Sequence, residues 1–153
     1  MPKKKIAALA ALLCLALLFA ACGSAPAQDS KAAQLYNAAV TYTDTNERTT
    51  HILDLLFGDK LGLYTAERND AAEPATLTIL FEGALPDEEK TTALACVVLA
   101  LDDSLGRVEW RSATATGSVV TRENAEKIIG KSPAKYAGSA KNVQKLLDLL
   151  GIK

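Results

Sequence analysis

The stretch YNAAVTYTD, Tyr36 to Asp44, decides the fold. Its larger members alternate: Tyr36, Ala38, Val40 and Tyr42 share one face at a period of two, which is the pattern of a half-buried strand. Read so, it is the first strand of a sheet. The next segment, TNERTTHILDLLFGDK, starts with Thr45 and Asn46, either of which can cap a helix. It places Ile52, Leu55 and Leu56 at helical spacing and meets Gly58, where a left-handed C-terminal residue costs glycine least.

Beyond that helix, KLGLYTAE reads as a strand and RNDAAEP as a turn-rich connection. ATLTILFEG is the clearest strand of the chain. Leu77, Ile79 and Phe81 point one way, and Thr76, Thr78 and Glu82 the other. These two strands are expected to form a hairpin. LPDEEKTTALACVVLALDDSLG is the clearest helix. Pro86 suits its first turn, Asp87, Glu88 and Glu89 complement the helix dipole, and Leu94, Val97, Val98 and Leu101 form a buried stripe. GRVEWRSA returns as a strand, with Val108 and Trp110 inward and Arg107, Glu109 and Arg111 outward. The order β-α-β-β-α-β predicts an α+β fold of the ferredoxin-like kind, a four-stranded antiparallel sheet with both helices on one face.

Two further helices follow at the C-terminus. TRENAEKIIGK is capped by Thr121 and stopped by Gly130. SAKNVQKLLDLLGIK is capped by Ser139 and ends at Gly151, with Val143, Leu146, Leu147 and Leu150 as its apolar face. That face either covers the side of the sheet that the first two helices leave open or receives a partner; covering the sheet is the expectation.

The N-terminus is of another kind. Lys3, Lys4 and Lys5 precede an apolar run from Ile6 to Ala21, closed by small residues. A spanning helix needs roughly 20 apolar residues and no such exit, so residues 1–21 read as an export signal. Phe19-Ala20-Ala21-Cys22 resembles the lipobox of bacterial lipoproteins. That resemblance implies a diacylglyceryl group on the Cys22 sulfur, cleavage before it, and a stable membrane anchor, since two acyl chains hold where one is marginal. Residues 22–34 then read as the lipidated cysteine and a small, polar, flexible tether, and residues 35–152 as one domain.

Charge is uneven. Residues 29–121 carry 15 acidic and 7 basic residues, whereas residues 122–153 carry 7 basic and 3 acidic. The basic end either solvates itself and leans on the acidic body or meets anionic headgroups; the first is the expectation. An acidic exported chain without a basic-aromatic patch is not expected to bind nucleic acid. With Cys14 and Cys22 assigned to the N-terminal segment, Cys96 is a lone thiol inside an apolar helical run and reads as core.

Several segments resemble the family called domain of unknown function 4825, bacterial lipoproteins and extracytoplasmic portions of membrane sensor peptidases. They are YTDTNERTTHILDLL, LGLYTAE, TTALACVVLALDDSLGRVEW and the closing VVTRENAEKIIGKSPAKYAGSAKNVQKLLDLL. The resemblance implies an extracytoplasmic location and a protein partner such as a membrane sensor or peptidase, and it implies no established activity. Its opening turn maps onto Tyr42, Asp44 and Asn46, and with Arg48 these are the candidate binding residues.

No catalytic residue, metal site or cofactor is expected. His51 is the only histidine, no Cys/His spacing is present, no Ser-x-x-Lys occurs, and no glycine-rich phosphate loop appears. The sequence therefore predicts a membrane-anchored, non-catalytic protein-binding or sensory module. The alternative is a binder of a small ligand or cell-wall fragment, with a pocket of roughly 300 Å3 or more between the sheet and the C-terminal helices.

Overall fold

The computed structural model describes residues 26–58 and 61–153. The export signal (1–21), Cys22 and residues 23–25 lie outside the described residues. The fold is α+β. Two helices come first, α1 (Lys31–Thr41) and α2 (Thr45–Phe57). The hairpin β1 (Tyr64–Asn69) and β2 (Ala75–Phe81) leads to α3 (Glu88–Leu101). The hairpin β3 (Leu105–Ser112) and β4 (Thr116–Thr121) follows, then α4 (Arg122–Ile129), a short 3-10 turn (Pro133–Tyr136) and α5 (Ala140–Leu149).

The decisive stretch is a helix. Ser30 caps α1, its side chain accepting from Ala33 N, and Ala32, Ala33, Leu35 and Ala38 are buried. Tyr36, Ala39 and Tyr42 pack half-buried beside them. Apolar residues at 32, 35, 36, 39 and 42 follow a period of 3.6, and alanine is the best helix former. Alternation over 36–42 was the weaker of two patterns, and the helical one starts within the segment expected to be tether. Residues 31–34 are accordingly helix, not spacer.

Loss of that strand changes the topology. The sheet has four strands in the order β1-β2-β3-β4 and is mixed rather than antiparallel. In the ferredoxin-like arrangement the first strand inserts between the two strands that flank the second helix. Among the described residues no such strand exists, and β2 and β3, which flank α3, pair directly and in parallel, from Ala75↔Leu105 to Phe81↔Ser112. Parallel neighbours need a crossover of a dozen residues or more, and α3 supplies it. The expected hairpin is present as the antiparallel pair β1–β2. The fourth strand is β4, unforeseen because TGSVVT offers one buried residue, Val120.

The described helices all lie over the sheet's apolar face. That face presents Leu77, Ile79, Phe81, Val108, Trp110 and Val120, all buried. α3 is apolar around nearly its whole circumference and is buried from Leu94 to Leu101, beyond the single stripe expected. A helix with no polar side belongs in the centre of a core. It rests on β3 and β4 and is flanked by α2 on one side and by α4 and the 3-10 turn on the other. Its N-cap is Asp87, whose carboxylate accepts from Glu89 N and Lys90 N, so Pro86 precedes the helix rather than opening it. Thr121, Gly130 and Ser139 cap the last helices as their types predict. The apolar face of α5 (Val143, Leu146, Leu147) is buried chiefly along α1, and it leaves the outer sheet face uncovered.

Candidate functional site

The uncovered face is built from alternate residues of all four strands. Register places three rows across it. Glu67, Thr78, Glu109 and Val119 form the middle row; Thr65, Leu80, Arg111 and Thr116 lie on one side, and Asn69, Thr76, Arg107 and Thr121 on the other. Leu80 and Val119 are among the exposed large apolar side chains of the molecule. With strands about 4.8 Å apart and same-face residues about 6.8 Å apart, the rows span an area of roughly 200 Å2.

Glu109 anchors this face. It stands at the centre of the face and is only 6 % exposed. One carboxylate oxygen accepts from Arg107 Nη2 at 2.7 Å and the other from Arg111 Nη2 at 2.6 Å. Residues two apart on a strand share a face, so the RVEWR pattern produces this clamp directly. Both guanidinium groups are held in place yet half exposed, and each retains donors for a further acceptor. Arg107 Nε is buried with no partner among the described residues.

The residues expected to bind lie elsewhere, at the turn between α1 and α2. Asp44 is the N-cap of α2, accepting from Asn46 N and Glu47 N at 2.9 Å each. Arg48 Nε donates to Tyr42 O at 2.9 Å. Tyr42 stacks on His51, ring centroids 4.0 Å apart. The structure thus brings the four together, with Asp44 and Arg48 engaged in holding the turn and the Asn46 side chain exposed. Of the aromatic residues on the strands, Trp110 is fully buried and Tyr64 is packed on the core, its hydroxyl donating to Asp54 at 3.4 Å. Burial, with the Asp54 carboxylate beside it, pushes the Tyr64 phenol up to about 12.

A second polar cluster is buried beneath the opposite end of the sheet. Arg68 Nη1 donates to Asp102 Oδ2 at 2.7 Å, with side chains 4 % and 0 % exposed. Arg68 Nη2 donates to Ser104 Oγ at 2.6 Å, and Ser104 Oγ donates to Asp102 Oδ1 at 2.5 Å. Thr49 Oγ1 lies 3.1 Å from Asp102 Oδ2. Arg122 donates to the carbonyls of Asp102 and Leu105. Burial lowers the Arg122 pKa, against the pull of Asp103 and Asp102. The cluster ties β1, α2, the α3–β3 turn and α4 together. Asp102 and its partner Arg68 are 34 residues apart in sequence, and no local signal joins them.

Cys96 is buried within α3, and burial pushes its thiol up to about 11. Among the described residues no group of three or more His, Cys, Asp or Glu side chains is placed to hold a metal ion, and no helix is long and apolar enough to cross a membrane. A hollow of about 420 Å3 lies among the helices, lined by Leu56, Phe57, Leu61, Leu94 and Ile152 with Lys31 at its edge. It does not lie between sheet and C-terminal helices, where the alternative ligand-binding reading needs a pocket. Comparison with protein-family models, with curated proteins and with solved structures finds no match to this chain.

Proposed function

We propose that the chain is a membrane-tethered, non-catalytic binding module on the extracytoplasmic face of a cell membrane. A diacylglyceryl group on Cys22 holds it there, and the uncovered sheet face receives a partner protein. The observation that carries this reading is the central clamp: Arg107 and Arg111, immobilised by Glu109, stand beside exposed Leu80 and Val119. Arginine is among the side chains that dominate protein interfaces, and a prefixed guanidinium loses less entropy on binding. The partner presents backbone carbonyls or carboxylates to the arginines and an apolar group between Leu80 and Val119. A membrane sensor or peptidase is the partner class that the family resemblance suggests.

Size sets the strength. A standard interface buries about 800 Å2 per partner, several times the area of these rows. The contact is therefore weak and transient by itself. Tethering both proteins to one membrane compensates, because short linkers raise effective concentration toward millimolar.

Leu80→Glu and Val119→Lys, each inserted into the tethered full chain, are expected to reduce partner capture in crosslinked membranes at least about tenfold, the loss of one central contact. Both side chains are exposed, so folding should persist and circular dichroism should be unchanged. Undiminished capture by both variants, or loss only on substituting Tyr42 and Asn46 together, would contradict this assignment of the face.

A further inference from the structure

One end of the molecule carries apolar side chains that the core does not use. There α1 and α3 start, and α4 and α5 finish. The hollow of about 420 Å3 among the helices adjoins a second of about 470 Å3, and the two share Glu89, Ala93 and Leu150. Ile128 and Leu149 stand in the second, 48 % and 55 % exposed. Leu61 and Ile152 stand half-buried in the first. Large apolar side chains scattered singly are normal on a surface, whereas contiguous exposed ones mark interaction sites.

Position decides the occupant. Lys31, the first residue of α1, borders the larger group of helices at this end, and its Nζ donates to Lys153 O at 3.0 Å. Just ahead of it Ser30 N donates to Ala27 O at 2.8 Å, a turn that leads back to Pro26, the first described residue. Cys22 stands four residues before Pro26. Fully extended chain of that length spans at most about 14 Å. With an acyl group on Cys22, this end is therefore held close to the bilayer surface, in a gap too narrow for a protein domain about 30 Å across. Charge around the two hollows is balanced, Lys31, Lys90 and Lys153 against Asp87, Glu88 and Glu89, so anionic headgroups are not specially attracted.

We infer that this end is a lipid-docking surface. Ile128 and Leu149 enter the boundary between headgroups and acyl chains of the bilayer that holds Cys22, with Leu61 and Ile152 behind them. The charged residues around them stay among the headgroups, the lysines on long stems that keep the ammonium in water. The inference rests on the tether of the proposed function and adds an orientation to it. Leu61 lines this end, Glu82 N donates to Leu63 O at 3.1 Å, and so β1 starts and β2 finishes beside it. The strands therefore rise away from the bilayer, and the open sheet face looks along it, toward a partner anchored in the same membrane.

The full chain, purified from membranes, is reconstituted into vesicles of phosphatidylcholine with and without phosphatidylglycerol. A nitroxide is attached to one introduced cysteine, in Ile128→Cys, Leu149→Cys, Val40→Cys or Val119→Cys. Cys96 is buried and does not compete for the label. Val40 and Val119 are exposed as well, but Val40 lies at the far end of α1 and Val119 on the open sheet face. Accessibility to oxygen and to a nickel chelate gives the depth of each probe. The expected depth at Ile128 and Leu149 is about 5–10 Å into the headgroup–acyl boundary, that of an interfacial apolar face, with none at Val40 and Val119 and no difference between the two vesicle types. Leu149→Glu is expected to return the probe at Ile128 to water, with circular dichroism unchanged because the side chain is exposed. The mass of the purified chain reads the anchor separately. An acylated chain whose four probes all stay in water would overturn the docking surface and leave the tether standing. A chain without the acyl mass would refute the tether and the docking with it. Insertion only with phosphatidylglycerol would assign the contact to the lysines and overturn the apolar assignment.

Discussion

Two charged residues carry more of this structure than their positions in the sequence suggest. Arg68 and Asp102 are paired at 2.7 Å with almost no exposure, and the carboxylate also accepts from Ser104 N and Ser104 Oγ. Such a pair adds little over an apolar replacement of both partners, but removal of one strands the other in a medium that cannot solvate it. Arg68→Met is therefore expected to cost about 3–5 kcal/mol in a urea unfolding series, with an unchanged slope. Asp70, Arg68's exposed second partner, is the contrast. Asp70→Asn should cost at most about 1 kcal/mol, since the oxygen remains an acceptor and exposed pairs contribute little. Legibility at this scale follows sequence distance. Cys96 was readable as core because uncharged neighbours surround it. Glu109 was readable as outward from its alternation with Trp110, but its burial was not, because that depends on two arginines folding back over it. Asp102 follows the last residue of a helix and opens a turn, and nothing local marks it as the partner of Arg68.

At the scale of elements, the signals that held were those with a local cause. Asp87, Thr121 and Ser139 each accept a backbone N–H at the helix start, and Gly58 and Gly130 take positive φ at helix ends. The ATLTILF strand held because its alternation is backed by β-branched residues. Tyr36–Asp44 failed because small alanines fit either period, and the helical pattern that discriminates begins at Ala32, upstream of the stretch. Once that element is a helix, the parallel pairing of β2 with β3 follows, and with it a close approach at the start of the strands. A Cβ at Gly106 would lie 2.1 Å from Pro74 Cβ, a ring atom that cannot swing away. Gly106→Ala is expected to destabilise the domain by about 1–3 kcal/mol, as overpacking does, measured as a lowered thermal midpoint. An unchanged midpoint would mean that the β2–β3 register is not the one described.

For the whole molecule, the consequence of the changed topology is a division of labour between two faces. Among the described residues, five helices and the 3-10 turn are gathered over one side of four strands, and α5, expected to close the other side, is occupied with α1. An open sheet face is therefore what the helix packing leaves uncovered, and it is the face we propose for recognition. The sequence made its outward residues legible, Arg107, Glu109 and Arg111 among them, because period-two alternation assigns faces within a strand. It did not reveal that the face stays open, because that rests on long-range helix packing. It pointed to Tyr42–Arg48 as a candidate site, where polar residues in a turn signal recognition and capping equally well; Asp44 caps α2 there. The most direct measurement is site-specific photocrosslinking in intact membranes, with the probe at Thr78 on the open face or at Lys145 on the exposed side of α5. The account predicts a discrete protein adduct from Thr78 and none from Lys145. An adduct from Lys145 with none from Thr78 would contradict it.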